Sequence, residues 1–245
     1  YPLSMRELSS EFGWLETNRL LEERILYGMY PDVVLNPNEK KNLLKYLTRS
    51  YLFKDVLSYQ GVRKPEVLDK LLLALAAQIG SEVSYNELAG TVGIDKDTIN
   101  KYLDILEKAF VIFRLHPFSR SVRTEITKMR KVYFYDTGIR NALVSNFNSL
   151  ASRNDKGALW ENFLVSEKLK MNSYLNIDAK TFFWRTSQQQ EIDYIEEKEN
   201  KLFAYEFSWN VNKKKKIPLT FLKAYSTKES EIITKENYEK FLGIV

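Results

Sequence analysis

Three stretches near the C-terminus, TFFWRT (181–186), EIDYIEE (191–197) and KLFAYEFSW (201–209), decide how this chain is read. Each is a short run of aromatic and β-branched residues bounded by polar positions, the pattern of a strand. Side chains alternate across a strand, so Leu202, Ala204, Glu206 and Ser208 share one face, and Phe203, Tyr205, Phe207 and Trp209 share the other. The aromatic face is the expected core face. On the preceding strand Glu191 and Asp193 share a face opposite Ile192 and Tyr194. If the strands are neighbours, Asp193 and Glu206 converge on one site.

A helix is expected just upstream, from about Gly157 to Met171, and its apolar run ALWENFLV (158–165) is interrupted by Glu161. A charge in such a run lies at an edge or has a partner. With a helix near Pro218–Tyr225 and a strand near Glu231–Thr234, residues 151–245 read as a compact α/β unit. Glu161, Asp193 and Glu206, with a backbone carbonyl, are hard oxygen ligands of the kind Mg²⁺ or Mn²⁺ accepts, and such an ion can activate water against a phosphodiester. The competing reading is three solvated surface acids among the 32 Asp and Glu of the chain.

The polar break at Ser152–Lys156 separates this unit from residues 65–150. There Val67, Leu68, Leu71, Leu72 and Leu75 make one helical face. Ser84 to Glu87 has the spacing of a capping box, Gly93 and Ile94 make a tight turn, and Asp95 caps a third helix with Ile99, Tyr102, Leu103, Leu106 and Phe110 inward. Strands at VIFRL (111–115) and KVYFYD (131–136) follow, so a winged helix-turn-helix is expected. Residues 1–64 read as a helical segment turning at Gly28–Pro31, with Trp14, Leu15, Leu20, Leu21, Ile25 and Leu26 in helical period. The fold class is therefore α+β and multi-domain.

Charge is concentrated between the two wing strands. Arg114, Arg120, Arg123, Lys128, Arg130 and Lys131 face only Glu125, which equals the net +5 of the whole chain. These six cations are the candidate nucleic-acid contacts, suited to phosphates rather than bases. The third helix, with Lys96, Lys101 and Lys108 against Asp95, Asp97, Asp104 and Glu107, is net −1 and a poor groove reader. A winged helix used for packing or protein contacts is the alternative.

Composition removes several classes. With no cysteine and one histidine, His116, there is no disulfide framework and no thiolate or multi-His metal site. None of the nine glycines is followed by lysine, so there is no phosphate-cradling P-loop and no ATPase activity is expected of these residues. No run of about 18 apolar residues is present, so no membrane partner is expected and a cytoplasmic location is the default.

The order of motifs resembles prokaryotic AAA-type ATPases that carry a C-terminal domain of unknown function. The resemblance rests on YPLSMREL (1–8), YGMYPDVV (27–34), YLFKDV (51–56), VYFYDTGI (132–139), the segment Gly157–Lys168, FFWRTSQQQEIDYI (182–195) and AYEFSW (204–209). It implies an ATPase core on the same polypeptide, binding ATP, ahead of residue 1. It also implies a restriction-endonuclease-like fold for 151–245, with Glu161, Asp193 and Glu206 at the catalytic and metal-ligating positions. The lysine expected two residues after the last acid is Ser208 here, which cannot orient the attacking water, so the site reads as degenerate. A lysine from the run Lys213–Lys216 is a possible substitute. The expected function is a non-catalytic regulatory and binding module, contacting nucleic acid through the basic wing. A metal-dependent endonuclease and a protein-interaction scaffold are the alternatives.

Overall fold

The computed structural model describes residues 1–51, 65–119, 130–212 and 215–244. Arg120, Arg123, Lys128, Lys213 and Lys214 lie outside them. The chain is a mixed α+β structure on one seven-stranded mixed sheet.

The N-terminal segment is a series of short helices: α1 (Met5–Phe12), α2 (Trp14–Arg19), α3 (Leu21–Tyr27), α4 (Pro31–Leu35) and α5 (Lys40–Tyr46), the last running into a π-helical turn at Leu47–Tyr51. Their boundaries follow from capping: Ser4 and Glu7 form a reciprocal capping box at α1, Gly13 and Gly28 take positive φ between helices, and Pro31 starts α4. Leu15, expected inside, is 85% exposed, since α2 turns Thr17 inward instead.

Then come α6 (Pro65–Ala77), β1 (Glu82–Val83), α7 (Tyr85–Val92), α8 (Lys96–Lys108), β2 (Ile112–Pro117) and β3 (Arg130–Phe134). Asp95 caps α8 through the Thr98 amide at 2.8 Å, and Ser84 accepts from the Glu87 amide at α7. Leu72, Leu75, Ile99, Leu103 and Leu106 are buried in one cluster that also takes Val33 and Leu44 from the N-terminal helices. Strand β3 pairs antiparallel with both β1 and β2.

Helices α9 (Thr137–Leu143) and α10 (Lys156–Tyr174) lead to β4 (Lys180–Arg185), β5 (Glu191–Lys198), β6 (Lys201–Phe207), α11 (Leu219–Ala224), β7 (Thr227–Ile233) and α12 (Tyr238–Phe241). The sheet order is β1-β3-β2-β4-β5-β6-β7. The junction is the parallel pairing of β2 with β4, His116 opposite Phe182 and Pro117 opposite Phe183. One apolar cluster accordingly spans Met5, Leu8 and Ile25, then Phe113, Leu115 and Tyr133, then Trp160, Phe163, Tyr194 and Phe207.

Strand β6 departs from expectation: both its faces are buried, not the aromatic one alone. Tyr205 and Phe207 belong to the large cluster, whereas Leu202 and Ala204 pack with Phe221 of α11 on the other side. The reason is position, since β6 lies between β5 and β7 and a helix covers its second face.

Two knots fix the segments to one another. The Asp136 carboxylate caps α9 through the Ile139 amide and accepts from the Met29 amide at 2.7 Å. The backbones approach so closely that a Cβ on Gly138 would lie 2.2 Å from the Tyr27 carbonyl oxygen, and one on Gly28 would strike the Asp136 carboxylate. In the second knot Arg140 and Arg153 converge on Asp155 at 2.6 and 2.7 Å. Their remaining donors reach the Ala76 and Asn146 carbonyls and the Asn141 side chain, whose amide in turn donates to Leu26.

Candidate functional site

Helix α10 is registered on β3 by two polar side chains. Asn162 makes both backbone hydrogen bonds of Phe134, each at 2.8 Å, as a neighbouring strand would, and one turn later Ser166 donates to the Tyr135 carbonyl. That register sets Glu161 over the β3 face that carries Lys131 and Tyr133. Glu161 Oε1 accepts from Lys131 Nζ at 2.8 Å and from the Tyr133 hydroxyl at 2.7 Å.

Strands β5 and β6 pair with Tyr194 opposite Tyr205, and the same register brings Asp193 opposite Glu206. Asp193 Oδ2 accepts from the Phe207 amide at 2.8 Å and from Lys215 Nζ at 3.0 Å, and Lys215 also donates to Glu206 at 2.7 Å. Lys131, only 1% exposed, lies 2.7 Å from Glu191 and 3.9 Å from Asp193. Arg185 of β4 rims the centre between Glu82 and Glu191. The structure therefore gathers Glu161, Asp193 and Glu206 around two lysines, one from β3 and one from the lysine run after β6.

Burial sets the protonation of this centre. It pushes the Glu161 carboxyl up to about 7, with Asp193 adding to the rise and Lys131 opposing it. Burial and then Asp193 push Glu206 up to about 8 despite Lys215. For Asp193 burial is again the largest influence, but Lys131, Lys215 and the Phe207 amide together outweigh it and hold the carboxyl below its ordinary value. Burial disfavours the charged form of Lys131 too, yet its carboxylate neighbours prevail and raise it well above normal. Near neutrality Asp193 carries the fixed negative charge, and Glu161 and Glu206 are poised to exchange protons.

Among the described residues no group of three acidic or histidine side chains is arranged to hold a metal ion. In this arrangement one oxygen of each carboxylate accepts from an ammonium group, Lys131 on Glu161 and Lys215 on Asp193 and Glu206. Ser208, buried beside Glu206, donates to the Asn210 carbonyl and stays out of the centre.

The basic candidates divide. Arg114 turns back onto α8, where it pairs with Asp104 and Glu107 and donates to Asn100, and it also donates to the Tyr85 hydroxyl of α7. Lys131 points into the carboxylate centre. Arg130 lies on β3 opposite Val83. Sequence reasoning placed Lys131 in the wing by counting charges. The alternation of KVYFYD, which puts Lys131 on the Tyr133 face, was the signal that it faces inward.

Comparison with known proteins gives two family matches: "Domain of unknown function (DUF8612)" over residues 18–150 and "Domain of unknown function (DUF4143)" over 156–241. An uncharacterized protein of Mycobacterium tuberculosis is 30% identical over 184 residues, 73% of this chain and 40% of its own length. One from Haemophilus influenzae is 24% identical over 213 residues, covering 80% and 51% respectively. One from Methanocaldococcus jannaschii is 28% identical over 196 residues, covering 76% and 41%. The chain thus spans about half or less of the length of these relatives. No solved structure matches.

Proposed function

We propose that this chain, which belongs to the family of domains of unknown function DUF8612, is a non-catalytic binding and regulatory module of a larger AAA-type ATPase. The observation that carries the non-catalytic part is Lys131, whose buried ammonium group stands 2.8 Å from Glu161 and 2.7 Å from Glu191. The acids and lysines form a hydrogen-bonded cluster that ties α10, β3, β5 and β6 together. The motif order supports an ATPase partner on the same polypeptide. Helices α6 to α8 followed by the antiparallel set β1-β3-β2 support a winged helix. Acids contributed by α10, β5 and β6 support kinship with the restriction-endonuclease-like fold.

Nucleic acid is the binding partner this reading favours, through Arg120, Arg123 and Lys128 of the segment between β2 and β3. Replacing these three by Ala should weaken duplex binding for all sequences alike and lower its salt dependence. Unchanged affinity in low salt would remove the wing as a contact surface.

A metal-dependent endonuclease is the second reading, and one observation favours it. Lys215 brings an ammonium group to the acids where Ser208 offers none. Incubation of the protein with supercoiled plasmid and Mg²⁺ or Mn²⁺ decides between the two. We expect the plasmid to stay intact; incision that is lost in Asp193→Ala would make the protein a nuclease.

A further inference from the structure

Residues 40–49, KKNLLKYLTR, hold four cations and no acid, a concentration separate from the wing. Lys40 turns aside: its ammonium is 2.6 Å from Glu23 and lies over the Tyr27 ring. Lys41, Lys45 and Arg49 recur every four residues along α5 and the turn that follows it, and all three are exposed. No ion pair is formed by any of them among the described residues. The acids nearby are engaged elsewhere, Glu23 with Lys40, Glu39 with Asn42, and Asp155 with its two arginines.

Lys41 and Lys45 form one wall of a groove of about 290 Å³, and Ser145, Phe147 and Asn148 form the other. That second wall is fixed from behind. The Asn146 carbonyl accepts from Arg153 at 2.6 Å, its amide donates to Asn141, and the Phe147 ring stacks on Tyr27 at 5.4 Å. Like charges four apart on a helix repel. A firm groove that carries two of them, with a third one turn further along, is built for an anion supplied from outside.

We propose that the α5 face is a second nucleic-acid contact, engaging the phosphate backbone without reading bases. The stripe is linear: four residues of helix rise about 6 Å, so three cations extend over roughly 12 Å. That geometry suits successive phosphates of a polymer, whereas a single small anion would occupy the groove alone. The proposal deepens the binding part of the reading above but rests on different residues, so each can fail without the other.

Lys41→Glu/Lys45→Glu is compared with the parent by fluorescence anisotropy, using a labelled 20-base-pair duplex and the corresponding single strand across a salt series. A check of the unfolding midpoint confirms that the exposed substitutions leave the fold intact. The double variant should bind at least tenfold more weakly in low salt, and the slope of log K against log salt should fall by about 1.8 on duplex, at about 0.9 for each lost phosphate contact. Lys41→Gln/Lys45→Gln should show the same loss of slope with a smaller loss of affinity. Unchanged affinity and slope in both double variants overturns the proposal. So does binding through these lysines to phosphatidylserine vesicles in the absence of nucleic-acid binding. If Arg120→Ala/Arg123→Ala/Lys128→Ala loses binding while the α5 variants keep it, the wing reading stands and this one falls; the reverse pattern leaves α5 as the contact and removes the wing.

Discussion

Two of the places where the molecule buries charge are solved in opposite ways. Around Asp155, one carboxylate meets two guanidinium groups that also donate to the Ala76 and Asn146 carbonyls and the Asn141 amide oxygen, and the Arg153 and Arg140 contacts hold Asp155 down to about 2. Around Asp193, four acids share two lysines and a peripheral arginine, and burial leaves Glu161 at about 7 and Glu206 at about 8. Planar arginine forks distribute hydrogen bonds in fixed directions, whereas a lysine is a compact charge that several acids must share. The first centre is locked in one protonation state. In the second, burial raises two of the acids toward neutrality, so their protonation changes with pH in the physiological range.

The largest expected effect tests the locked centre. Asp155→Ala leaves two buried guanidinium groups without their carboxylate and should cost about 3–5 kcal/mol, read by urea denaturation. A loss below 1 kcal/mol would mean that the carbonyls alone satisfy both arginines. Lys131→Met probes the other centre and should cost less, about 2 kcal/mol at pH 7, because Glu161 can take up a proton instead of standing unpaired and Asp193 keeps Lys215. Measured again at pH 5 the penalty should shrink; a pH-independent penalty would place the loss in packing.

The pH dependence sharpens the contrast without a mutation. Glu161 and Glu206 have folded values above the ordinary 4.5, so the folded state binds more protons than the unfolded one between that value and about 8. Their contribution is fully present below about 4.5 and is lost as the pH rises through 7 to 8. Asp155 has the opposite sign: its contribution is present above 3.8 and is lost as the pH falls toward 2. Glu161→Gln/Glu206→Gln should therefore flatten the decline in stability between pH 5 and 8 and leave the acid limb unchanged. The smallest effect is expected at Arg114→Ala. It should cost about 1 kcal/mol, because Asp104 is substantially exposed and its pairing is screened.

Local rules carried the strand-level reading far. Alternation along EIDYIEE and KLFAYEF set Asp193 and Glu206 on facing strand positions, and the interruption of an apolar run marked Glu161 as a charge with a partner. The identity of that partner was not local. Lys131 comes from a strand 30 residues before Glu161, and Lys215 from a run whose composition reads as a solvated loop. The pairing of β2 with β4 joins residues more than sixty positions apart through backbone groups that leave no side-chain signature, so a sheet continuous across the break at 152–156 was not legible. Both faces of β6 are buried for the same reason, since the covering helix α11 is assigned to that face only by the folded chain.

The N-terminal helices depend on residues made much later. The Met5 amide donates to Glu167, Lys170 donates to the Leu3 carbonyl, and the Tyr238 hydroxyl donates to Asn18, 220 positions away. On a ribosome adding about 5–20 residues per second, the partner of Met5 emerges roughly 8–30 s after Met5 itself. Until then the cluster that holds Met5 and Leu8 of α1 lacks its later members, among them Trp160, Phe163 and Tyr194. Residues 1–35 should therefore gain their full protection from proteases only after the stretch around Glu167 and Lys170 has been made.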